Sequence, residues 1–229
     1  YFSAVSSWPG LALSVATASG PLYDVDTRLR PGGAKGMLVV SLEAFEDYQR
    51  NHAWTWEHMA LCRARPVFGS AESRDRVSAM IDGILRMPRD TAKLVADAAT
   101  MRGEMERHKP PLSALDVKLG PGGLVDLEFA THVLQLTTHV GLNPRLEVAL
   151  EALANDHLVE ANVVDALKLL SRMLVMMRLV APADVKPTPE TWQLVADACG
   201  AASWNELLAE HDAARHSIAA LWNRIKQGT

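Results

Sequence analysis

Residues 23–40 read YDVDTRLRPGGAKGMLVV and decide how the N-terminal part of the chain is expected to fold. The first eight residues alternate strictly between Tyr, Val, Thr and Leu on one face and two Asp and two Arg on the other. This alternation predicts a half-buried strand with one charged face. The Pro-Gly-Gly sequence that follows ends the strand, and residues 37–40 are predicted to form a short partner strand after a turn at Gly36.

The charged face of this predicted strand has two interpretations. In the first, Asp26 pairs with Arg28 or Arg30 across a solvated surface, which is common for exposed charges. In the second, Asp26 holds a divalent metal ion while the two arginines bind a polyphosphate, because guanidinium groups match phosphate oxygens in pairs. The local chemistry alone leaves both interpretations open.

Two blocks of sequence resemble a known family. Residues 23–67, YDVDTRLRPGGAKGMLVVSLEAFEDYQRNHAWTWEHMALCRARPV, resemble the glutamine-synthetase adenylyltransferase/adenylyl-removing enzymes, which belong to the nucleotidyltransferase superfamily with a DNA-polymerase-β-like palm. Residues 116–129, DVKLGPGGLVDLEF, resemble the helical-domain signature of the same family. Residues 53–67 are similar to the C-terminal, adenylyl-transferring half of these enzymes.

The resemblance implies a mainly α fold with two domains. Residues 1–70 would be the C-terminal part of an α/β nucleotidyltransferase palm, and residues 71–229 an α-helical bundle. Members of the family also carry a Gly-Ser pair and an Asp-x-Asp pair on earlier strands, and no acidic residue precedes Tyr23 in this sequence. The chain is therefore expected to be a fragment that begins inside the catalytic domain and is inactive alone.

The resemblance also implies a reaction. The enzyme would transfer AMP from ATP to a tyrosine hydroxyl of glutamine synthetase and so regulate nitrogen assimilation, by two-metal phosphoryl transfer with Mg²⁺ held by three carboxylates. Asp26 would be the catalytic metal ligand nearest the attacking hydroxyl. Arg28, Arg30 and Lys118 would bind the nucleotide. The bundle would form the other wall of the cleft and dock glutamine synthetase or the PII signalling protein.

Further polar residues are candidates for the walls of that cleft. They are Glu57, Arg63, Arg65, Asp126 and Glu128. Each also has an ordinary structural interpretation: pairing on a solvated helix face, or, for Asp126, a carboxylate that complements a helix dipole. The glycine-rich turn before Asp126 is predicted to be flexible. Its backbone amides either offer a phosphate site or serve ordinary loop chemistry.

Composition restricts the class of protein. The 229 residues carry a formal net charge of -4 with no basic stripe, which argues against a nucleic-acid partner. Cys62 and Cys199 lie far apart in apolar contexts, which is typical of reduced thiols in a cytoplasmic protein. The apolar runs contain charges or lack a basic leader, so no membrane segment is predicted. Alternative functions are the adenylyl-removing half, a PII uridylyltransferase relative, or a non-catalytic docking module.

The rest of the sequence predicts helices. Ser41 is predicted as an N-cap, and Ser203 with Glu206 as a capping box. His132 and His139 are seven residues apart on one face of the predicted helix, but no third ligand lies at a spacing typical of a metal site, and they are interpreted as structural. Helices are expected in the latter part of residues 2–17 and over residues 41–65 with a restart at Trp54, 73–87, 91–108, a segment after Gly123, 145–154, 159–180, 189–199 and a segment after Ser203.

Overall fold

A computed structural model describes residues 15–18, 20–21, 36–37, 39–181 and 187–228. The mainly α fold class is confirmed, since most of these residues lie in helices. The predicted strand over residues 23–30 lies outside the described residues, so the α/β palm stays a prediction. Within the described ranges, no helix is both long and apolar enough to cross a membrane.

The chain divides into two compact units. The first contains Tyr1–Leu61 and Arg65–Ile84, and the second contains Cys62–Ala64 and Leu85–Thr229. The division into an N-terminal domain of residues 1–70 and a bundle of residues 71–229 stays a prediction.

The described part of the first unit consists of a small hairpin and three helices. Strand β1 (Ala16–Thr17) pairs antiparallel with β2 (Gly20–Pro21), and Gly20, the first residue of β2, adopts a positive φ of 93°. The helices are α1 (Leu42–Asn51), α2 (Thr55–Leu61) and α3 (Ala71–Leu85), whose last residue belongs to the second unit.

Two predictions for the N-terminal region are wrong at the positions that the structure describes. A helix was expected to reach Thr17, but Thr17 lies in β1. A strand was expected over residues 37–40, but Met37, Val39 and Val40 are not in a strand. Met37 and Val39 are also exposed. Exposed apolar residues have little to favour a strand, because strand propensity mostly reflects packing against neighbours.

The ends of α2 and α3 differ from the predicted ones for local reasons. Helix α2 ends at Leu61 instead of Arg65, because Cys62–Ala64 belong to the second unit, where Cys62 is buried. Helix α3 begins earlier than predicted because Ser70 accepts a hydrogen bond from the Ser73 N–H through Oγ at 3.2 Å. It ends earlier because Arg89 donates through Nη1 to the carbonyl of Leu85 at 2.7 Å.

The second unit is a bundle of six helices among the described residues. Helix α9 is its central element and packs against α4, α5, α7 and α8. Its inner face carries Leu207, Ile218 and Leu221, which are almost completely buried. Such continuous apolar faces supply most of the stability of a helical bundle. The helices are α4 (Thr91–His108), α5 (Leu124–Thr138), α6 (Leu146–Asn155), α7 (Ala161–Val180), α8 (Pro189–Cys199) and α9 (Trp204–Gln227).

Both predicted serine caps are confirmed, and one detail is corrected. Ser41 accepts from the Ala44 N–H at 3.1 Å, and Ser203 accepts from the Glu206 N–H at 3.2 Å. The returning carboxylate of Glu206 accepts from the Ala202 N–H at 2.8 Å, one residue before the cap expected in a capping box. Cys62 and Cys199 are both buried free thiols, as predicted.

Candidate functional site

Asp26, Arg28 and Arg30 lie outside the described residues, and their roles stay predictions. Six further candidates are described: Glu57, Arg63, Arg65, Lys118, Asp126 and Glu128.

Glu57 is buried inside the first unit and bonded to its surroundings. Its carboxylate accepts hydrogen bonds from the Tyr48 hydroxyl at 3.1 Å and from the Trp54 N–H at 2.9 Å. Tyr48 lies on α1 and Trp54 directly precedes α2, so the carboxylate joins the two helices. Buried polar groups are expected to be bonded in this way. These contacts support the structural interpretation of Glu57.

Arg63 and Glu128 meet on the surface of the second unit. The Nη1 atom of Arg63 lies 3.4 Å from Oε2 of Glu128 on α5. The Arg63 side chain is about half exposed, so this pair contributes little stability and both groups can exchange partners. Arg65 is exposed as well, but it belongs to the first unit. The structure therefore brings together one pair of the sequence-predicted residues.

The glycine-rich loop before α5 offers no open nest of amides for a phosphate. Asp116 accepts from the N–H groups of Lys118 and Leu119 through Oδ1, at 3.0 and 2.9 Å, and from Gly120 through its carbonyl at 3.1 Å. The next amides are also bonded: Gly122 to Asp126, Gly123 to Gly120, Leu124 to Val117, and Val125 to Lys118. The ordinary loop interpretation is therefore the one that the structure supports.

This loop is tightly packed, which corrects the prediction that it is a flexible turn. Gly122 adopts a positive φ of 71°, and a Cβ atom there would overlap the carbonyl oxygen of Arg215 on α9. At Gly123, a Cβ atom would come within 2.8 Å of the Val117 and Gly120 carbonyl oxygens. The glycines permit close approach of backbones, not freedom of movement.

Asp126 is buried in an ion pair that the sequence analysis missed. Its Oδ1 accepts from Nε of Arg102 on α4 at 2.5 Å, and its Oδ2 accepts from the Gly122 N–H at 2.6 Å. Only 5% of each residue's surface is exposed. A sequence signal for Arg102 exists: Leu94, Ala98 and Arg102 recur every four residues, which places the arginine on the buried stripe of α4.

Lys118 is an exposed residue of this bonded loop. Its N–H donates to Asp116, and its carbonyl accepts from the Val125 N–H at 3.1 Å. The backbone of Lys118 is thus held on both sides while its side chain is in solvent. An ammonium group on a fixed backbone is a suitable binding element for an anionic ligand.

His132 is a buried neutral imidazole. Its Nδ1 lies 2.8 Å from Oε1 of Gln135, and Nε2 of the same Gln135 amide donates to the carbonyl of Gly141. The Gln135 amide therefore presents its oxygen to the ring, so Nδ1 carries the proton. Burial, opposed by this bond and aided by the Arg63 charge, lowers the pKa of His132 to about 4. His139 is not on the same helix face, since it is the left-handed C-cap of α5.

We expect His132 to make the stability of the second unit pH-dependent. Between pH 6.5 and about 4, the unfolded chain binds a proton that the folded chain does not, so stability falls as the pH is lowered through this window. The loss should be on the order of 2 kcal/mol at pH 4.5. Urea unfolding at pH 7 and 4.5 measures it. His132→Gln should reduce the loss, whereas His108→Gln, at an exposed site, should not; equal pH dependence in all three proteins would contradict the assignment.

Metal ligands are not grouped in the described residues. No set of three or more His, Cys, Asp and Glu side chains there could hold a metal ion.

Comparison with known proteins identifies related enzymes. Residues 10–80 match the family model described as Glutamate-ammonia ligase adenylyltransferase, and residues 92–225 match that of GlnD PII-uridylyltransferase. A bifunctional glutamine synthetase adenylyltransferase/adenylyl-removing enzyme of Rhizobium meliloti is 40% identical over all of this chain and 24% of the relative. The same enzyme of Caulobacter vibrioides is 37% identical over 95% of this chain and 23% of the relative. The enzyme of Brucella suis is 49% identical over 63% of this chain and 15% of the relative.

The helical second unit is thus a domain of the kind that the PII-uridylyltransferase model describes, and that match alone covers more than half of the chain. Because the Rhizobium meliloti enzyme is 40% identical along the whole chain, the chain belongs to the bifunctional glutamine synthetase adenylyltransferase/adenylyl-removing enzyme family. The chain spans about a quarter or less of the length of these relatives.

Proposed function

We propose that the enzyme containing this chain transfers AMP from ATP to a tyrosine hydroxyl of glutamine synthetase. The observation that carries the proposal is the identity of 40% along the entire chain with the Rhizobium meliloti enzyme. Incubation of the enzyme with glutamine synthetase and ATP should add one AMP per subunit, detected by intact-mass measurement and located on a tyrosine by peptide sequencing. Failure to add AMP would contradict the proposal.

The residues proposed to act are Asp26, Arg28, Arg30 and Lys118. The two arginines and the lysine would offset the charge of the polyphosphate, and Asp26 would ligate Mg²⁺, which when bound neutralises charge on the phosphates. Further carboxylates are needed to complete a magnesium site, since magnesium requires near-octahedral oxygen ligation. Among the described residues, no three or more His, Cys, Asp and Glu side chains lie together so as to hold a metal ion, so we derive no step through the metal.

The helical unit is proposed to dock glutamine synthetase or the PII protein. Arg63, Glu128 and Lys118 are the candidates on its surface, since all three are solvent-accessible. Arg65 is kept as a candidate on the first unit. A cytoplasmic location is part of this proposal, since both protein partners and ATP would have to be present together.

A second candidate function is transfer of UMP to the PII protein. It is favoured by the match of residues 92–225 to the PII-uridylyltransferase model. The adenylyltransferase proposal is preferred because relatives that match the chain over its whole length are adenylyltransferases by name.

Conservative replacement of the two arginines should separate their roles. Lysine keeps the charge but loses the two-pronged geometry with which arginine binds phosphate. We expect Arg28→Lys and Arg30→Lys to differ, with one of them raising the KM for ATP by about tenfold and the other having little effect. Steady-state kinetics with varied ATP measures both. Negligible effects of both replacements would leave the arginines as surface ion-pair partners.

A further inference from the structure

The loop that carries Lys118 is held by side chains from three helices. Asp126 on α5 accepts from Gly122, and Arg215 on α9 donates to the carbonyls of Pro121 at 2.8 Å and Ala114 at 3.1 Å. From α4, Arg102 donates through Nη2 to the carbonyl of Leu119 at 3.0 Å. The last of these contacts is the nearest in sequence to Lys118, one residue away.

Arg102 connects two parts of the site at once. Its Nε bonds to Asp126, which lies in the first turn of α5, and its Nη2 bonds to Leu119, which belongs to the loop. The planar guanidinium fixes the angle between these two bonds, which an ammonium group cannot do. This rigid group therefore adds a side-chain connection between the loop and the first turn of α5 to the backbone bonds that Val117 and Lys118 accept there.

The buried position of Arg102 lowers stability in one respect, so stability alone does not explain why the residue is there. The third nitrogen of Arg102, Nη1, is buried without a hydrogen-bond partner in the part of the chain that the structure describes, and the nearest carboxylate, Glu106, is 3.9 Å away. A buried donor without a partner is destabilising. Replacing a buried ion pair by neutral groups is often harmless to stability, so such pairs are better explained by the geometry that they specify.

We propose that Arg102, paired with Asp126, is a positioning residue that holds the backbone at Lys118 so that the ammonium group meets the anionic part of the nucleotide. The inference rests on the proposed function for the role of Lys118. The structural part of the inference, that the pair fixes the loop, is independent of it. Neither residue contacts the nucleotide in this proposal.

The structural part is tested in the 229-residue chain with Arg102→Met/Asp126→Asn. This double variant removes both charges but keeps an oxygen for the Gly122 N–H, and the cavity of about 260 Å³ beside the pair gives the new side chains room. Amide exchange at Lys118 and Leu119 should become at least about tenfold faster, with an unfolding temperature close to that of the wild type. Arg102→Lys, which keeps the charge without the fork, should produce a smaller increase.

The matched control is Lys93→Met/Asp97→Asn. It removes an exposed ion pair of 2.6 Å from the same helix and should leave exchange at Lys118 unchanged. Unchanged exchange at Lys118 and Leu119 in both Arg102 variants would overturn the positioning role. Should the double variant fail to fold, Arg102→Lys alone decides the outcome.

The functional part is tested by kinetics in the complete enzyme. Arg102→Met/Asp126→Asn should raise the KM for ATP about tenfold while kcat changes little, as expected for lost positioning of a binding group. Lys118→Met should have the same effect, and the two changes combined should be no worse than either alone. Fully additive effects would overturn the inference. If Lys118→Met leaves the KM for ATP unchanged while amide exchange is faster in the Arg102 variants, Lys118 does not bind the nucleotide. The structural part of the inference, that Arg102 and Asp126 hold the loop, would then remain.

Discussion

Asp26→Asn should lower the rate of AMP transfer on the order of a thousandfold or more in the complete enzyme, because it removes the charge that ligates the proposed metal without much change in side-chain size. The measurement is the initial rate of AMP incorporation into glutamine synthetase at saturating ATP. The circular dichroism spectrum should be unchanged, since the substitution is on the predicted charged face of the strand.

The matched control for this prediction is Asp24→Asn. Asp24 shares the charged face in the predicted strand but does not match the family's metal-ligand position, so its replacement should leave the rate within about tenfold of the wild type. Near-normal transfer by Asp26→Asn would make Asp26 a surface carboxylate and would remove the central residue of the proposed site. Equal losses in both variants would indicate that the strand as a whole, and not Asp26, is sensitive to substitution.

Gly122→Ala should destabilise the second unit by at least about 3 kcal/mol. The residue has a φ of 71°, and the new Cβ atom would overlap the Arg215 carbonyl, so α9 and the loop would have to separate. Gly103→Ala is the matched control. Gly103 lies within α4, nothing would lie within 4 Å of a Cβ atom added there, and alanine should stabilise the helix by up to about 1 kcal/mol.

Urea unfolding followed by circular dichroism measures both glycine variants. Opposite signs for the two replacements would show that Gly122 is required by close packing and not by helix propensity in general. If Gly122→Ala is as stable as the wild type, the loop is not held as described, and the positioning role of Arg102 loses its structural basis.

The sequence predicts the helices of the second unit well where a local signal is present. Helix α4 has the predicted bounds because Asp90 caps its start, with its carboxylate bonded to the Lys93 N–H at 3.0 Å. Helix α8 also has its predicted bounds, with Pro189 at its first position and Gly200 in the left-handed conformation after its end. These signals lie within the few residues at each helix terminus and need no knowledge of the tertiary fold.

The misses arise from contacts between distant parts of the chain. Pro66 suggested that α2 continues to Arg65, but the burial of Cys62 in the second unit ends the helix at Leu61. The glycine-rich loop has the composition of a flexible turn, and only the approach of Arg215, almost a hundred residues later, shows that it is packed. Tertiary packing overrides local preference in both cases.

The candidate site is predicted only in part, because some of its contacts join distant parts of the chain. Arg63 and Glu128 were singled out from separate motifs, and the structure places them 3.4 Å apart. Arg102 was missed because a charged residue on a helix is usually assigned to the solvent-exposed face. Its recurrence with Leu94 and Ala98 was the available signal, and its partner Asp126 could not be deduced from spacing alone.

The most direct test of the central claim is a transfer assay with two nucleotides and two acceptor proteins. The complete enzyme is incubated with α-labelled ATP or UTP, and with glutamine synthetase or the PII protein, and the label on each acceptor is measured after denaturing electrophoresis. We predict label on glutamine synthetase from ATP and much less in the other three combinations. Label on the PII protein from UTP, with none on glutamine synthetase, would contradict the account and would identify the enzyme as a PII uridylyltransferase.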